Sequence, residues 1–457
     1  MAASSTAGLV FTVRRKPPEL VAPAKPTPRE FKLLSDIDDQ DCLRFQIPSI
    51  KFYRNDGPSS WMEGRERDPV KVIREAIAKT LVWYYPFAGR LRELGPGRKL
   101  AVDCTGEGVM FIEADADVTV DHFGDQLQPP FPCLDQLLFD VPGSGGILDC
   151  PLLLIQVTRL RCGGFIVAIR ANHTMCDALG QLQFMKAVGE IARGASSISV
   201  QPVWQREMLS AREPPHVTCA HREYSELPDT KGAIIPRHRD MVVRSFFFGP
   251  KEVSALRKLV PSHLQDKCST FEVVTACLWR CRTIALQPNP DEEVRVLCSV
   301  NARGKYFNPP LPVGYYGNAF AMPAAVSTAG RLCQNPLGYA LELVMKAKAD
   351  VTEEYMRSLA DFLATKGRPH IAMVRSYLVS DVTRFRDVDF GWGKAAYGGP
   401  AKVKIGWVSF YVPFTNKKGE RGILVPVCLP GPAMDKFVVQ LDSMLNSSQH
   451  TNIASAL

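Results

Sequence analysis

Apolar residues recur along this chain with two different periods, and the first half shows both. Helical spacing of apolar residues predicts a helix over 70–85, with Asp68 at its N-cap, and a second helix over 178–193. Two β-rich apolar runs, 151–160 and 165–170, are separated by a tetrapeptide that contains two glycines. This arrangement predicts a β-hairpin directly before the second helix.

The rest of the chain mixes strand and helix patterns in the same way. The remaining predicted strands are 9–13, 100–104, 109–113, 242–248, 294–300, 402–414 and 423–429. The remaining predicted helices are 251–259, 271–286, 337–366 and 433–445. Strands and helices do not alternate as βαβ units, and hairpins recur. The order predicts an α+β class with mixed sheets rather than a doubly wound parallel sheet.

A boundary is predicted near the middle of the chain. Residues 195–236 show little periodicity and contain five prolines, and a structureless stretch of that length is unusual inside one domain. We therefore expect an N-terminal lobe over 1–205, a crossover linker over 206–236 and a C-terminal lobe over 237–457.

Composition excludes several classes of protein. The 457 residues are 46% hydrophobic and 22% charged, which is ordinary for a globular protein and argues against disorder. The net charge of +8 is mild, and no run of five like charges is present. It suits a small anionic ligand at least as well as nucleic acid, which we do not expect as a partner. The longest apolar runs have strand length, so no membrane span is predicted.

The cysteines and histidines do not indicate a metal site. The 13 cysteines include no C-x-x-C pair, and the eight histidines are scattered. Dispersed cysteines are typical of a reduced, intracellular protein. The motifs G-x-G-x-x-G, G-x-x-x-x-G-K-[ST], H-E-x-x-H and G-x-S-x-G are all absent, which disfavours dinucleotide enzymes, P-loop NTPases, zincins and typical serine hydrolases.

One pair of residues is a candidate for catalysis. His173 and Asp177 lie in the turn between the predicted hairpin and the helix that follows it. Histidine has an ordinary pKa close to neutral pH, which suits a general base. The alternative is a structural turn histidine with Asp177 as a helix cap, and the two residues alone leave both interpretations open.

A second motif is the pentapeptide Asp389-Phe390-Gly391-Trp392-Gly393. Two glycines around a tryptophan indicate a tight backbone turn. A carboxylate such as Asp389 can hold an arginine, but a structural role is favoured for it.

Together, in this order, these motifs resemble the BAHD acyltransferases of plants, and the resemblance covers nearly the whole chain. It is closest to the alcohol acyltransferase branch, which includes benzyl alcohol benzoyltransferases. Further matching stretches are 23–30, 35–40, 85–91, 269–272 leading to Trp279-Arg280, 309–312 and 314–318. One departure is Asn301, where many relatives carry Asp.

The resemblance implies a fold and roles for the site residues. It implies two similar lobes like those of chloramphenicol acetyltransferase, each a mixed sheet with flanking helices, and a channel between them that leads to His173. His173 is then the general base. Asp177 turns away from the substrate and pairs with an arginine, while Asp389, although often grouped with the catalytic residues, is mainly structural and pairs with Arg303. Gly391, Trp392 and Gly393 support that turn.

The resemblance also implies the substrates. Acyl-CoA is a co-substrate, with benzoyl-CoA favoured, the acceptor is a small alcohol, with benzyl alcohol favoured, and no cofactor or metal is permanently bound. Ser269 and Thr270, at a predicted helix N-terminus, and Lys267 match positions near CoA; Ser269 as a simple N-cap is an equally good interpretation. Candidates for an aromatic pocket are Trp407, Tyr397, Phe320 and Tyr53, each of which suits a core equally well.

Several alternatives stay open from the sequence. The acyl group can instead be short-chain aliphatic or anthraniloyl. A hydrolase would use His173 to activate water, and a non-catalytic protein would only bind acyl-CoA. We expect a monomer in the cytosol or the peroxisome, because Ser455-Ala456-Leu457 matches a peroxisomal tripeptide except for its middle residue.

Overall fold

The computed structural model describes residues 8–55, 68–95, 97–124, 127–227, 240–304, 307–403, 405–416 and 418–450. The strands in these ranges are β1 (Val13–Arg15), β2 (Glu19–Val21), β3 (Phe31–Leu33), β4 (Gln46–Tyr53), β5 (Arg90–Leu94), β6 (Lys99–Asp103), β7 (Val109–Ala116), β8 (Leu153–Leu160), β9 (Phe165–Asn172), β10 (Met241–Phe248), β11 (Glu293–Cys298), β12 (Val300–Asn301), β13 (Phe320–Ala321), β14 (Ala324–Thr328), β15 (Ser376–Asp381), β16 (Tyr397–Pro400), β17 (Val408–Thr415) and β18 (Arg421–Pro430). The helices are α1 (Pro69–Thr80), α2 (Leu134–Leu137), α3 (Ala178–Ala192), α4 (Pro250–Lys258), α5 (Ser262–Gln265), α6 (Thr270–Leu286), α7 (Ala329–Gln334), α8 (Leu337–Ala349), α9 (Glu353–Lys366) and α10 (Gly431–His450).

Two large mixed sheets organise these elements. The first has the strand order β1-β7-β8-β9-β4-β16, with β2 also beside β7. Its β7 and β8 run parallel, whereas β8 and β9 form the predicted antiparallel hairpin. The second sheet has the order β10-β18-β17-β15-β11-β14, and β15 runs parallel to both of its neighbours. The predicted mixed sheets with flanking helices are confirmed.

Local signals place most helix starts. Asp68 caps α1 by accepting a hydrogen bond from the backbone of Val70 at 3.1 Å. Ser269 and Glu272 form a reciprocal capping box at the start of α6. Helix α1 ends at Thr80 rather than at 85, and Pro86 lies instead in a short 3-10 turn.

Three other elements differ from the prediction. The single helix expected over 337–366 is divided into α8 and α9, because Thr352 adopts an extended conformation and caps the second helix. The strand expected over 402–414 begins only at Val408, and the edge strand expected over 9–13 lies at Val13–Arg15.

One strand crosses the predicted domain boundary. Strand β16 comes from the second half of the chain, yet it pairs antiparallel with β4 at the edge of the first sheet, with Tyr397 opposite Phe52. Assigning all residues from 237 onward to a second lobe is therefore wrong for this strand. Backbone hydrogen bonding to an open sheet edge decides the position of β16, not its distance along the chain.

The predicted linker is packed against the rest of the molecule. Over 195–227 the chain forms two short 3-10 helices, Arg206–Leu209 and Arg222–Tyr224, and one isolated β-bridge, from Val203 to Tyr315. Arg206, Glu223 and Tyr224 in this segment are buried. The part of the linker from 228 to 236 lies outside the described residues. The segment thus contributes side chains to the interior, which a solvated linker would not do.

Apolar burial is distributed over both sheets. One core cluster surrounds α6 and α8 against the second sheet, and another packs α1 and α3 against the first. A third lies on the other side of the first sheet, where Phe52 contacts Phe131 and Tyr397. Within the described ranges, no helix has both the length and the hydropathy needed to cross a bilayer.

Candidate active site

The turn that carries His173 is fixed at both ends. Strand β9 ends at Asn172, and α3 begins after Asp177, whose Oδ1 accepts a hydrogen bond from the backbone of Gly180 at 2.9 Å. The backbone N–H of His173 donates to the carbonyl of Phe45 at 2.9 Å. A side chain at Gly180 would collide with the Tyr316 carbonyl, because a Cβ there would lie 2.0 Å from that oxygen. The turn is therefore held against residues from several parts of the chain.

His173 faces a large cavity between the two sheets. The cavity has a volume of about 1480 Å³, and its lining is mainly apolar. Phe45 and Phe320 flank the imidazole, with ring centroids 5.5 and 6.2 Å from it. Other lining residues come from both sheets and their helices, including Ser49, Leu182, Leu378, Trp407 and Phe410. A substrate bound against either sheet would therefore lie within reach of the imidazole.

The two nitrogens of the His173 ring have different surroundings. Nδ1 is buried and has no hydrogen-bond partner among the described residues, whereas Nε2 is accessible from the cavity. Burial lowers the pKa of His173, and its own backbone carbonyl, the charge of Asp177, the Asn318 side chain and the charge of Asp38 partly oppose this fall. The ring is therefore neutral at pH 7, as a general base must be.

The carboxylate of Asp177 forms an ion pair with Arg303. Its oxygens accept hydrogen bonds from Nη1 and Nη2 of Arg303, at 2.7 and 3.1 Å, and from the backbone of Ala319 at 3.1 Å. Together with the cap on Gly180, these contacts use both oxygens. Asp177 therefore holds the histidine turn against the loop that precedes β13.

The expected pair between Asp389 and Arg303 is wrong. Arg303 is taken up by Asp177, and Asp389 accepts hydrogen bonds from the backbone of Gly391 at 2.6 Å and of Gly393 at 2.9 Å. Both glycines have positive φ, 114° and 80°, which residues with a Cβ rarely adopt. The local turn satisfies Asp389 within four residues, so a distant arginine is not required.

The rest of the pentapeptide packs as a structural corner. Trp392 contacts Phe165 of β9 edge to face at 5.1 Å, and Phe390 packs against Tyr53. The backbone carbonyl of Asp389 accepts a hydrogen bond from Arg193 at the end of α3. Residues 389–393 do not line the cavity. Grouping Asp389 with the catalytic residues is therefore not supported, since its carboxylate serves the turn.

The residues matched to CoA positions lie apart from the cavity lining. Ser269 accepts a hydrogen bond from the backbone of Glu272 at 3.3 Å, and Glu272 pairs with Lys348 at 2.6 Å. Lys267, Ser269 and Thr270 are not among the residues that line the cavity. The structure thus assigns Ser269 a capping role, and contact of these three residues with CoA stays a prediction.

The aromatic candidates separate into two groups. Phe320 and Trp407 line the cavity, whereas Tyr53 and Tyr397 are buried in core clusters and do not line it.

The sequence pattern does not single out four other residues near His173. They are Phe45, which lines the cavity, and Asp38, Arg206 and Asn318, which lie beneath the histidine turn. Asp38 and Asn318 lie inside stretches that resemble the BAHD family, 35–40 and 314–318, but no local pattern singles out either residue.

Across the described ranges, no group of three or more His, Cys, Asp or Glu residues is arranged to hold a metal ion.

Comparison with known proteins decides the family. A family model described as the Transferase family matches residues 11–444. The chain belongs to this family, the BAHD acyltransferases. It is 70% identical over 451 residues to a benzyl alcohol O-benzoyltransferase of Petunia hybrida, with 97% of this chain and 96% of that protein covered. It is 68% identical to a protein of the same name from Nicotiana tabacum, with the same coverage.

Other BAHD relatives and solved structures agree with this assignment. An alcohol acyl transferase of Malus domestica is 59% identical over 433 residues, with 94% of each chain covered. The crystal structure of vinorine synthase superposes with a TM-score of 0.70 at 21% identity, covering 95% of this chain and 98% of that one. The structure of TRI101 from F. sporotrichioides, complexed with coenzyme A and T-2, gives 0.65 at 17% identity, covering 90% and 97%. The protein is an acyltransferase with the BAHD fold, and the expected family is confirmed.

Proposed function

We propose that this protein transfers a benzoyl group from benzoyl-CoA to benzyl alcohol, giving benzyl benzoate and free CoA. The observation that carries the proposal is the position of His173, whose Nε2 is accessible from a cavity lined by both sheets. The choice of substrates rests on the names of the two relatives at 70% and 68% identity.

The proposed reaction uses His173 as a general base. Nε2 removes the hydroxyl proton as the alcohol oxygen bonds to the thioester carbonyl carbon, and a tetrahedral oxyanion forms. The carbon–sulfur bond then breaks, and the protonated imidazole returns its proton to the sulfur of CoA. Base catalysis of this kind contributes about 10²–10⁴-fold to the rate, and alignment of the two substrates supplies much of the remainder. No covalent acyl-enzyme is required.

The cavity suits aromatic substrates. Its volume of about 1480 Å³ exceeds the roughly 300–1,000 Å³ of common small-molecule sites, so it can hold two substrates at once. Phe45 and Phe320 offer aromatic faces beside the imidazole, and aromatic pairs are stabilised by about 0.5–1.5 kcal/mol beyond their area burial. A benzyl ring placed there would bring the alcohol hydroxyl towards His173, and a benzoyl ring would bring the thioester carbonyl carbon towards it.

A matrix of substrates tests the proposed function. Benzoyl-CoA, anthraniloyl-CoA and short-chain aliphatic acyl-CoAs would each be combined with benzyl alcohol and with aliphatic alcohols, and thiol release and ester would both be measured. We expect the benzoyl-CoA and benzyl alcohol pair to give the highest kcat/KM, with one ester formed for each thiol released.

Each rival function predicts a different result from the same matrix. Aliphatic or anthraniloyl donors that outperform benzoyl-CoA throughout would overturn the choice of donor. Thiol release and free acid at full rate without alcohol would indicate a hydrolase. CoA binding without turnover for any pair would indicate a non-catalytic binding protein.

The acid limb of the pH profile is expected to lie at an unusually low pH. A general base acts only when it is unprotonated, and burial lowers the pKa of His173 from its ordinary value of 6.5. We expect kcat/KM to stay level from neutral pH to below pH 6.5. At lower pH it should fall with the slope expected when a single group, His173, is protonated. Enzyme incubated at each pH and assayed again at neutral pH controls for denaturation. An acid limb centred above 6.5 would argue against this environment for His173.

We also propose that the enzyme acts as a monomer, because the two sheets of a single chain already enclose a cavity around His173. Light scattering after size exclusion tests this. The tail 455–457 lies outside the described residues, and its role as a peroxisomal address stays a prediction that imaging of a tail-deleted fusion would test.

A further inference from the structure

A buried polar cluster lies directly beneath the histidine turn. It consists of Asp38, Arg206 and Asn318, and all three side chains are almost completely inaccessible to solvent. Nη1 of Arg206 contacts both carboxylate oxygens of Asp38, at 3.1 and 3.2 Å. Nη2 of the same arginine donates to the carbonyl of Met175 in the histidine turn at 2.8 Å. Ionic groups are costly to bury, so a cluster of this kind calls for a functional or structural reason.

Aromatic rings fix the arginine of this cluster. The guanidinium of Arg206 lies 4.5 Å from the ring centroid of Trp204, 5.3 Å from that of Tyr315 and 5.0 Å from that of Tyr316. The backbone of Gly317 passes so closely that a Cβ there would overlap the guanidinium. Arg206 therefore has little freedom to move, and it holds the backbone that leads to Asn318 in one position.

Asp38 links the fixed arginine to Asn318, because its carboxylate accepts hydrogen bonds from both residues. Its Oδ1 accepts hydrogen bonds from the backbone N–H of Asn318 at 2.8 Å and from the Asn318 amide at 2.9 Å. Its Oδ2 accepts from the backbone and the hydroxyl of Ser35, at 3.1 and 2.6 Å. Both the position and the side-chain orientation of Asn318 are thus set by one buried carboxylate.

Asn318 in turn contacts the histidine turn itself. Its amide nitrogen donates to the carbonyl of His173 at 2.8 Å and to the carbonyl of Thr174 at 3.3 Å. Two buried polar atoms of these residues have no hydrogen-bond partner among the described residues: Oδ1 of Asn318, which can only accept, and Nδ1 of His173. Buried polar atoms are rarely left unsatisfied, and these two are complementary if Nδ1 carries the ring hydrogen. Burial lowers the pKa of His173, and the Asn318 side chain opposes this fall, as a hydrogen-bond partner of the ring does.

We propose that Asn318 is a positioning residue for the base: its amide nitrogen holds the carbonyl oxygens of the histidine turn, and its Oδ1 accepts the hydrogen on Nδ1 of His173. The lone pair is then on Nε2, the nitrogen accessible from the cavity. Asp38 acts through Asn318, whereas Arg206 acts through Asp38 and through its own hydrogen bond to Met175. Neither residue lines the cavity. The inference rests on the proposed role of His173 and adds the means by which its tautomer is selected.

The first test reads the tautomer in the unmodified protein and needs no turnover. In protein labelled with ¹⁵N-histidine, the ring nitrogen shifts of His173 would be assigned by their loss in His173→Ala, without substrates present. We expect the hydrogen on Nδ1 in the neutral ring. A hydrogen on Nε2 would overturn the proposal whether or not the enzyme transfers benzoyl groups, so failure here is distinct from failure of the proposed function.

The second test removes the asparagine side chain. Asn318→Ala is expected to lower kcat by about 10–100-fold while the KM for acyl-CoA changes less than about threefold, because the base is misplaced and the binding surface is kept. The titration midpoint of His173 should move to lower pH, since one of the groups that raise its pKa is lost. Asp177, Asp38 and the arginines paired with them face the turn in both proteins, so their charges do not account for the change.

Gln156→Ala is the matched control. Gln156 is also a buried amide, and it makes hydrogen bonds with Phe139, Gln136 and Thr158. Neither Gln156 nor any of these partners lines the cavity. The positioning role would be refuted if the kcat of Asn318→Ala lay within about twofold of the kcat of Gln156→Ala. It would also be refuted if the pH midpoint for titration of His173 were the same in Asn318→Ala as in the unmodified protein. If Asn318→Ala does not fold, Asn318→Ser provides the same two readouts, and the tautomer in the unmodified protein decides the question independently.

Discussion

Replacing His173 by alanine is expected to lower kcat by about 10²–10⁴-fold, while the Kd for CoA changes little. The substitution removes the proposed general base and leaves the turn in place, because the backbone N–H and carbonyl of His173 make the hydrogen bonds to Phe45 and Asn318. Ester formation under saturating substrates measures kcat, and calorimetric titration with CoA measures binding.

His221→Ala is the control for loss of a buried imidazole. His221 is buried, its Nε2 lies 3.0 Å from the hydroxyl of Ser358, and it does not line the cavity. This variant is expected to lose stability but to keep the kcat of the enzyme that remains folded. If His173→Ala retained a kcat within about tenfold of the unmodified enzyme, a general base at this position would be excluded.

Asp177→Ala is expected to lower the free energy of unfolding by about 3 kcal/mol or more. The change leaves the guanidinium of Arg303, which is only 19% exposed, without its carboxylate, and it removes the N-cap of α3, worth about 1 kcal/mol by itself. It also releases the histidine turn from Ala319. Urea unfolding followed by fluorescence measures stability, and kcat is expected to fall as well because the base is displaced.

Asp435→Ala is the matched control for Asp177→Ala. Asp435 also pairs with an arginine, Arg244 at 3.2 Å, but its side chain is 70% exposed. Exposed pairs of this kind contribute about 0–1 kcal/mol, so stability and activity should both stay near those of the unmodified protein. Equal losses for the two variants would show that the pair of Asp177 and Arg303 has no special structural importance.

Features encoded by neighbouring residues were predictable. The capping box of Ser269 and Glu272, the cap at Asp68 and the hairpin of β8 and β9 all depend on residues a few positions apart, and the structure contains each of them. His173 could be singled out for the same reason, because Asp177 follows it by four residues at the junction of a strand and a helix. Short-range geometry leaves few alternatives for such groups.

Interactions between distant residues were not predictable. The family resemblance implies a pair of Arg303 with Asp389, yet Arg303 pairs with Asp177, 126 residues earlier in the chain. Both carboxylates precede glycines or helix starts, so nothing local tells them apart. Only the packing of the loop before β13 against α3 brings Arg303 within 2.7 Å of Asp177, while the turn at Gly391 and Gly393 satisfies Asp389.

The sequence by itself determined the mixed α/β class, the family and the candidate for the base, because periodicity and short motifs record local geometry. The tertiary structure alone decided that β16 joins the first sheet and that the predicted linker supplies a buried arginine. It also decided that Asp38, Arg206 and Asn318 meet beneath His173, although 280 residues separate Asp38 from Asn318. Burial is the physical reason: an ionic or amide group must find partners once water is excluded, and which partners it finds depends on the fold as a whole.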